Sequence, residues 1–161
     1  MTAHEIAQAV GGRVEGDPEV LLTGAQVDSR LVADNDLFVA LPGERNDGHE
    51  FVGAALQTAS AAMVRDNARL QPPPPQRSLV RVDDPLAAYH ELARHERRLR
   101  GWQVAAVTGS VGKTTTKDFL AAMVSTSRQT GASTGNRNST LGLPAEMLSQ
   151  EPEVEVFVAE A

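Results

Sequence analysis

Cysteine is absent from this 161-residue chain. That excludes disulfides, Cys-ligated zinc and a thiol nucleophile, and it is compatible with a reducing cytoplasm. An excess of positive charge is absent too. Lys and Arg number 15 against 21 Asp and Glu, a net charge of −6. That balance argues against general binding to nucleic acid or to an anionic membrane, and any anion site has to be local. No apolar run approaches the ~18 consecutive residues of a membrane span. Residues 1–10 carry His4, Glu5 and Gln8 in place of a basic segment and an apolar core, so no secretory signal is expected. What remains is a globular composition, 41% hydrophobic, which at this length fills one ordinary core or two small ones.

The strongest positive signal is Val104-Ala105-Ala106-Val107-Thr108-Gly109-Ser110-Val111-Gly112-Lys113-Thr114-Thr115-Thr116. It reads as a buried strand running into a phosphate-cradling loop and then a helix. Glycines let main-chain N–H groups turn inward on a polyanion, and the helix start adds the positive end of its dipole. Lys113 supplies a mobile cation, and the Thr114 hydroxyl can ligate Mg²⁺. The strict G-x-x-x-x-G-K-[ST] pattern wants glycine where Val107 stands; the first glycine is displaced to Gly109. That disfavours the broad class of GTPases and kinases and favours a group whose loop is shorter on its first side.

Elsewhere the apolar spacing predicts alternating helices and strands. Thr2 and Glu5 form a capping-box pattern ahead of Ile6, Ala7 and Val10, with Gly11-Gly12 as the stop. Leu37–Leu41 reads as a buried strand entered through Asp34-Asn35-Asp36 and left through Pro42-Gly43. Phe51, Val52, Ala55, Leu56 and Ala59 follow at helical spacing, then strands at 61–64 and 78–82, giving a β-α-β alternation. Pro72–Pro75 reads as a stiff surface loop. From Asp84-Pro85 to Arg100 an amphipathic helix is predicted, with Leu86, Tyr89, Leu92 and Ala93 inward and its arginines on a solvated face. The domain boundary is expected at 83/84. Trp102 reads as packing, Phe119, Leu120, Met123 and Val124 as the buried side of the helix after the loop, and 154–161 as a further parallel strand ending in Glu160.

Three clusters could carry chemistry. A carboxylate at the carboxyl end of a strand beside a phosphate loop is where α/β nucleotide enzymes hold their metal, which makes Glu160 a candidate Mg²⁺ ligand with Thr114. Residues 134–144 are dense in amides, hydroxyls and glycines; ligand binding and a plain turn both remain open. Gly43-Glu44-Arg45-Asn46-Asp47-Gly48-His49 lies between a predicted strand and a predicted helix, where main-chain N–H groups can face an anionic ligand. His49 has no partner set resembling a metal site or a catalytic triad. Asp28-Ser29-Arg30 adds a small polar group.

Taken together, Asp28-Ser29-Arg30, Asp36–Arg45 (DLFVALPGER), Asp47–Phe51 (DGHEF) and Thr108–Lys117 (TGSVGKTTTK) resemble the Mur ligases, ATP-dependent amide-forming enzymes of peptidoglycan synthesis. The Gly-Ser loop start, Lys117, Gly135-Asn136-Arg137-Asn138, Gly142 and Pro144 are most similar to the dipeptide-adding branch, although Ser139 stands where a second adjacent asparagine is common. The resemblance implies an α/β fold, with a small amino-terminal α/β substrate domain (1–83) followed by the start of a parallel-sheet P-loop ATPase domain (84–161). It implies that Ser29, Arg30, Gly43, Glu44, Arg45, Asp47, Gly48 and His49 bind a UDP-N-acetylmuramoyl peptide precursor. Gly109, Ser110, Val111, Gly112, Lys113, Thr114, Thr115 and Asn138 would hold ATP, with Lys113 catalytic and Mg²⁺ on Thr114 and Glu160.

The implied reaction transfers the ATP γ-phosphoryl to the precursor's carboxylate, and the amine of D-alanyl-D-alanine attacks the resulting acyl phosphate. A cytoplasmic monomer with no nucleic-acid partner and no membrane insertion is expected. The family's layout also implies that the sequence stops within the ATPase domain and is inactive alone. The competing readings are a ligase adding the third amino acid, a P-loop kinase or GTPase, and a non-catalytic precursor-binding module.

Overall fold

The computed structural model describes residues 1–43, 46–134 and 139–160. The chain divides into two compact units, Met1–Leu92 and Ala93–Ala161. The division falls inside a helix, nine residues beyond the boundary expected at 83/84.

The first unit opens on α1 (Ala3–Val10), closed at its start by the predicted box: Glu5 N–H donates to Thr2 Oγ1 at 3.1 Å and Thr2 N–H to Glu5 Oε2 at 2.7 Å. Gly11, at φ 68°, ends it in the left-handed region that glycine tolerates. Five strands follow: β1 (Arg13–Gly16), β2 (Gly24–Gln26), β3 (Asp36–Val39), β4 (Ala61–Arg65) and β5 (Ser78–Val82). They form one sheet in the order β1-β5-β4-β3-β2, parallel except for the antiparallel β1-β5 pair. A 3₁₀ turn (Gly48–Phe51) and α2 (Val52–Ala55) join β3 to β4. The β3 and β4 runs are buried except at the half-buried Arg65 and apolar apart from Asp36 and Arg65, as expected of parallel strands covered on both faces. Phe38, Ala62, Val64 and Leu79 pack with Val52, Ala55 and Leu56, while α1 lies against β1 and β5.

α3 (Pro85–Arg100) buries Tyr89, Leu92 and Ala93 as its spacing predicts; Leu86 is more exposed. Its last arginine is not merely solvated. Arg100 pairs with Glu96 at 2.5 Å, donates to the carbonyls of Gln150 and Glu151 at 3.0 Å, and lies 5.2 Å from the Trp102 ring centroid.

In the second unit β6 (Gln103–Val107), α4 (Lys113–Val124), β7 (Thr130–Ala132), α5 (Gly142–Leu148) and β8 (Val156–Glu160) build a parallel sheet in the order β6-β8-β7. The central strand β8 is buried along its whole length. Trp102 stacks on Phe157, so its role is packing. α4 departs from expectation: Phe119 and Met123 are exposed, and the buried position is Lys117. The inward stripe runs Lys117, Leu120, Ala121, Val124, the i, i+3, i+4, i+7 spacing of one helical face.

Candidate functional site

β6 delivers the chain to the loop at Val107, which lies in register with Glu160 across the β6-β8 pair. Parallel pairing therefore brings the strand-end carboxylate beside the glycine loop, at the carboxyl edge where α/β sheets bind ligands. Gly112, at φ 76°, is the residue before the helix; its left-handed backbone turns the chain into α4, so that Lys113 is the first helical residue. The loop residues Gly109, Ser110, Val111 and Gly112 and the first-turn Thr114 and Thr115 are exposed, and Lys113 is half-buried among them. Free N–H groups at the first turn of a helix and an adjacent ammonium make an anion cradle.

Thr114 Oγ1 donates to Glu160 Oε2 at 2.7 Å, while Glu160 itself is 6% exposed. The two oxygens sit side by side at the mouth of the loop. Among the described residues no cluster of three or more His, Cys, Asp or Glu could hold a metal ion. One hydroxyl and one carboxylate are nevertheless a donor set that suits Mg²⁺, which takes one or two protein oxygens and completes its octahedron with phosphate and water. Behind this pair, Glu160 N–H donates to Ser133 Oγ at 3.0 Å, and the Lys117 ammonium donates to the Ser133 carbonyl at 2.5 Å. Thr134 Oγ1 donates to Glu146 Oε1 at 2.9 Å. Asn138, with the rest of the 135–138 cluster, lies outside the described residues.

The first unit carries a separate cavity of about 570 Å³. Its walls join Asp28, Ser29 and Arg30 to Asn46, Gly48 and Phe51, so two polar segments that are distant in sequence meet there. Asp28 holds Arg30 in a fork: Nε donates to Oδ1 at 2.9 Å, and a terminal guanidinium nitrogen donates to Oδ2 at 2.6 Å. These bonds hold the Asp28 carboxyl down at about 2, the side-chain contact with Arg30 contributing most. The Arg30 side chain stays 85% exposed, oriented but accessible.

The segment after β3 folds back on itself. Gly43 N–H donates to the Asn46 carbonyl at 3.0 Å, and Gly48 N–H to the Leu41 carbonyl at 2.9 Å. Glu44 and Arg45 lie outside the described residues. Asp47 and His49 line a second cavity, of about 470 Å³, together with Arg65 and Arg69. Both His49 ring nitrogens are engaged within the protein. Nε2 accepts the Arg65 main-chain N–H at 2.9 Å, so Nδ1 carries the proton it shares with Asp47 Oδ1 at 2.6 Å. The Asp47 carboxyl is lowered in turn, first by the His49 main-chain N–H and then by its ring.

Reading from sequence missed the buried Lys117 and its partner Ser133. A stripe counted from Lys117 picks up Leu120, Ala121 and Val124, but Phe119 and Met123 make a second apolar face, so hydropathy alone does not choose between them.

Comparison with known proteins places this geometry in context. Residues 107–161 match the Mur ligase middle domain. Over 161 residues the chain is 35% identical to UDP-N-acetylmuramoyl-tripeptide--D-alanyl-D-alanine ligase of Bacillus subtilis, covering 99% of this chain and 35% of that protein. The crystal structure of MurF from Acinetobacter baumannii superposes with a TM-score of 0.85 at 31% identity, covering 99% of this chain and 35% of that one. MurF ligase from Thermotoga maritima, solved in complex with ADP, gives 0.72 at 31% identity over 88% of this chain and 32% of that one. The chain thus spans about a third of the length of the relatives it matches.

Proposed function

From its membership of the Mur ligase family, we propose that this chain supplies the precursor-binding and phosphate-gripping parts of an ATP-dependent ligase. The enzyme joins D-alanyl-D-alanine to UDP-N-acetylmuramoyl-tripeptide and releases ADP and phosphate. The observation that carries this reading is the Thr114-Glu160 oxygen pair, 2.7 Å apart, beside Lys113 at the mouth of the glycine loop. In this reading residues 1–83 hold the precursor, with Ser29, Arg30 and Gly48 facing it across the 570 Å³ cavity. Gly43, Asp47 and His49 shape the adjoining loop, and residues 84–161 handle ATP. The assignments of Glu44 and Arg45 to the precursor and of Asn138 to the nucleotide rest on the family pattern alone.

Phosphoryl transfer needs alignment and charge neutralisation more than covalent help. The N–H groups of Gly109, Ser110, Val111, Gly112 and Thr115 and the Lys113 ammonium would grip the β and γ phosphates. The γ-phosphoryl passes to a carboxylate oxygen of the precursor and ADP leaves. The dipeptide amine then attacks the acyl carbon, the C–O bond to phosphate breaks, and the amine gives up a proton. Thr114 and Glu160 would hold Mg²⁺, which when bound neutralises charge building between the phosphates. The same reading makes the enzyme a cytoplasmic monomer acting on a water-soluble, nucleotide-linked precursor; among the described residues no helix is long and apolar enough to cross a membrane.

The test is ligation by the complete gene product supplied with UDP-N-acetylmuramoyl-tripeptide, D-alanyl-D-alanine and Mg·ATP. One ADP is expected per amide formed, and Lys113→Ala should lower turnover by orders of magnitude while leaving the circular dichroism unchanged. Ligation of a single amino acid to the dipeptide precursor, with none of D-alanyl-D-alanine, would assign the chain to the neighbouring step instead. Near-normal turnover by Lys113→Ala would refute the loop's role.

A further inference from the structure

Lys117 is 4% exposed, on the inward face of α4, and neither its burial nor its contacts are explained by phosphate binding. A buried ammonium is costly unless it is paired and hydrogen-bonded. Its partners are the Asp118 carboxylate at 2.9 Å and the carbonyl of Ser133 at 2.5 Å. Asp118 lies largely in solvent, at 65% exposure, so the inward contact is Ser133. Ser133, 2% exposed, is the residue by which the chain leaves β7. Its N–H donates to the Val158 carbonyl at 2.9 Å, and its hydroxyl accepts the Glu160 main-chain N–H at 3.0 Å.

A closed circuit results. α4 reaches Glu160 directly, through the Thr114 hydroxyl on its carboxylate, and indirectly, through Lys117 and Ser133 on its main chain. Thr114 and Lys117 are three residues apart and share a helix face. The two routes differ in what a cation does to them. A metal ion taken by both oxygens replaces the hydroxyl-carboxylate bond, whereas the Lys117-Ser133 route uses neither oxygen and persists.

Building on the metal-site reading above, we propose that Lys117 is a positioning residue, which through Ser133 holds the end of β8 in place so that Glu160 meets a divalent cation bound with the nucleotide. It touches neither phosphate nor metal. The device presets the Glu160 backbone before the cation arrives, so that metal binding does not have to order it.

Calorimetric titration of the complete gene product with ADP over a range of Mg²⁺ concentrations tests this, beside the same titration in EDTA. Wild type should bind ADP more tightly with Mg²⁺; if it does not, the metal-site reading fails and the proposal with it. Given that dependence, Lys117→Met and Ser133→Ala should each raise the Mg²⁺ concentration for half-maximal binding about tenfold, leave binding in EDTA within twofold, and show no further loss when combined. Ser133→Ala changes no charge and keeps the carbonyl that Lys117 holds, so if Lys117→Met does not fold it still tests the Ser133-Glu160 link, and an unchanged Mg²⁺ requirement there overturns the proposal. An unchanged Mg²⁺ requirement in folded variants, or losses that multiply in the double variant, would overturn the role of Lys117 while leaving the metal site standing.

Discussion

At Gly48 there is no room for a side chain. A Cβ built there would lie 2.6 Å from the Leu41 carbonyl oxygen and 2.7 Å from the Leu41 nitrogen, both of them main-chain atoms that cannot swing aside. Gly48→Ala must therefore open the turn that closes Gly48 N–H onto Leu41 and shift Asn46 and Phe51 in the cavity wall. Affinity for a UDP-linked precursor, read by calorimetry, should fall at least tenfold with the secondary structure retained; an unchanged affinity would detach this loop from the precursor. Asp28 gives a second single-residue test. Its carboxyl is lowered to about 2 by Arg30, so the clasp contributes stability above the ordinary carboxylate range and loses it as the pH falls towards 2. Carbonyl-carbon NMR should find Asp28 ionised at pH 3, and Arg30→Gln should return its midpoint to the usual range. A wild-type midpoint near 4 would mean that the fork is not formed in solution.

Among the helices and strands, those that state their own period were legible in advance. The Thr2-Glu5 box announces α1, and apolar runs announce β3, β4, β6 and β8, with β5 legible although Arg81 interrupts it; β6, expected to be buried, is instead exposed or half-buried along its length, Val104 included. β1 and β2 were not legible: Arg13–Gly16 is a partly exposed edge strand with two charged residues, and Gly24–Gln26 is three residues long. β7, also of three residues, gives no periodic signal either. The apolar spacing of 51–59 suggested a full helix, but the chain makes a 3₁₀ turn and one α turn before β4, because Leu56 and Ala59 reach the core from the turns that follow. On α4 apolar residues occupy two faces, and hydropathy alone could not choose the face led by Lys117. That the loop and the Glu160 strand end lie side by side was readable; the Lys117-Ser133 link was not, since it joins a side chain to a carbonyl. α1 carries its own prediction. Thr2→Ala removes the cap and should cost about 1 kcal/mol, so the amides of the first turn should exchange roughly fivefold faster in hydrogen-exchange mass spectrometry. No change in exchange would show that the packing of α1 on β1 and β5 alone holds its first turn.

Across the whole chain, the two candidate ligand sites fall in different compact units, the precursor cavity within Met1–Leu92 and the phosphate loop within Ala93–Ala161. Each ligand given singly should therefore protect the amides around its own candidate site. Added alone, a UDP-muramoyl peptide is expected to slow exchange around residues 27–51, and Mg·ADP around residues 109–117. Protection of the loop by the precursor alone would contradict that separation. The account rests most heavily on the claim that the amides of residues 109–115 and the Lys113 ammonium hold a triphosphate beside the Thr114-Glu160 pair. A crystal structure of the complete gene product with magnesium and a non-hydrolysable ATP analogue tests it directly. The β and γ phosphate oxygens are predicted within hydrogen-bonding distance of those N–H groups and of Lys113 Nζ, with the metal against Thr114 Oγ1 and a Glu160 oxygen. A nucleotide bound elsewhere, with the loop closed on its own side chains, would contradict it.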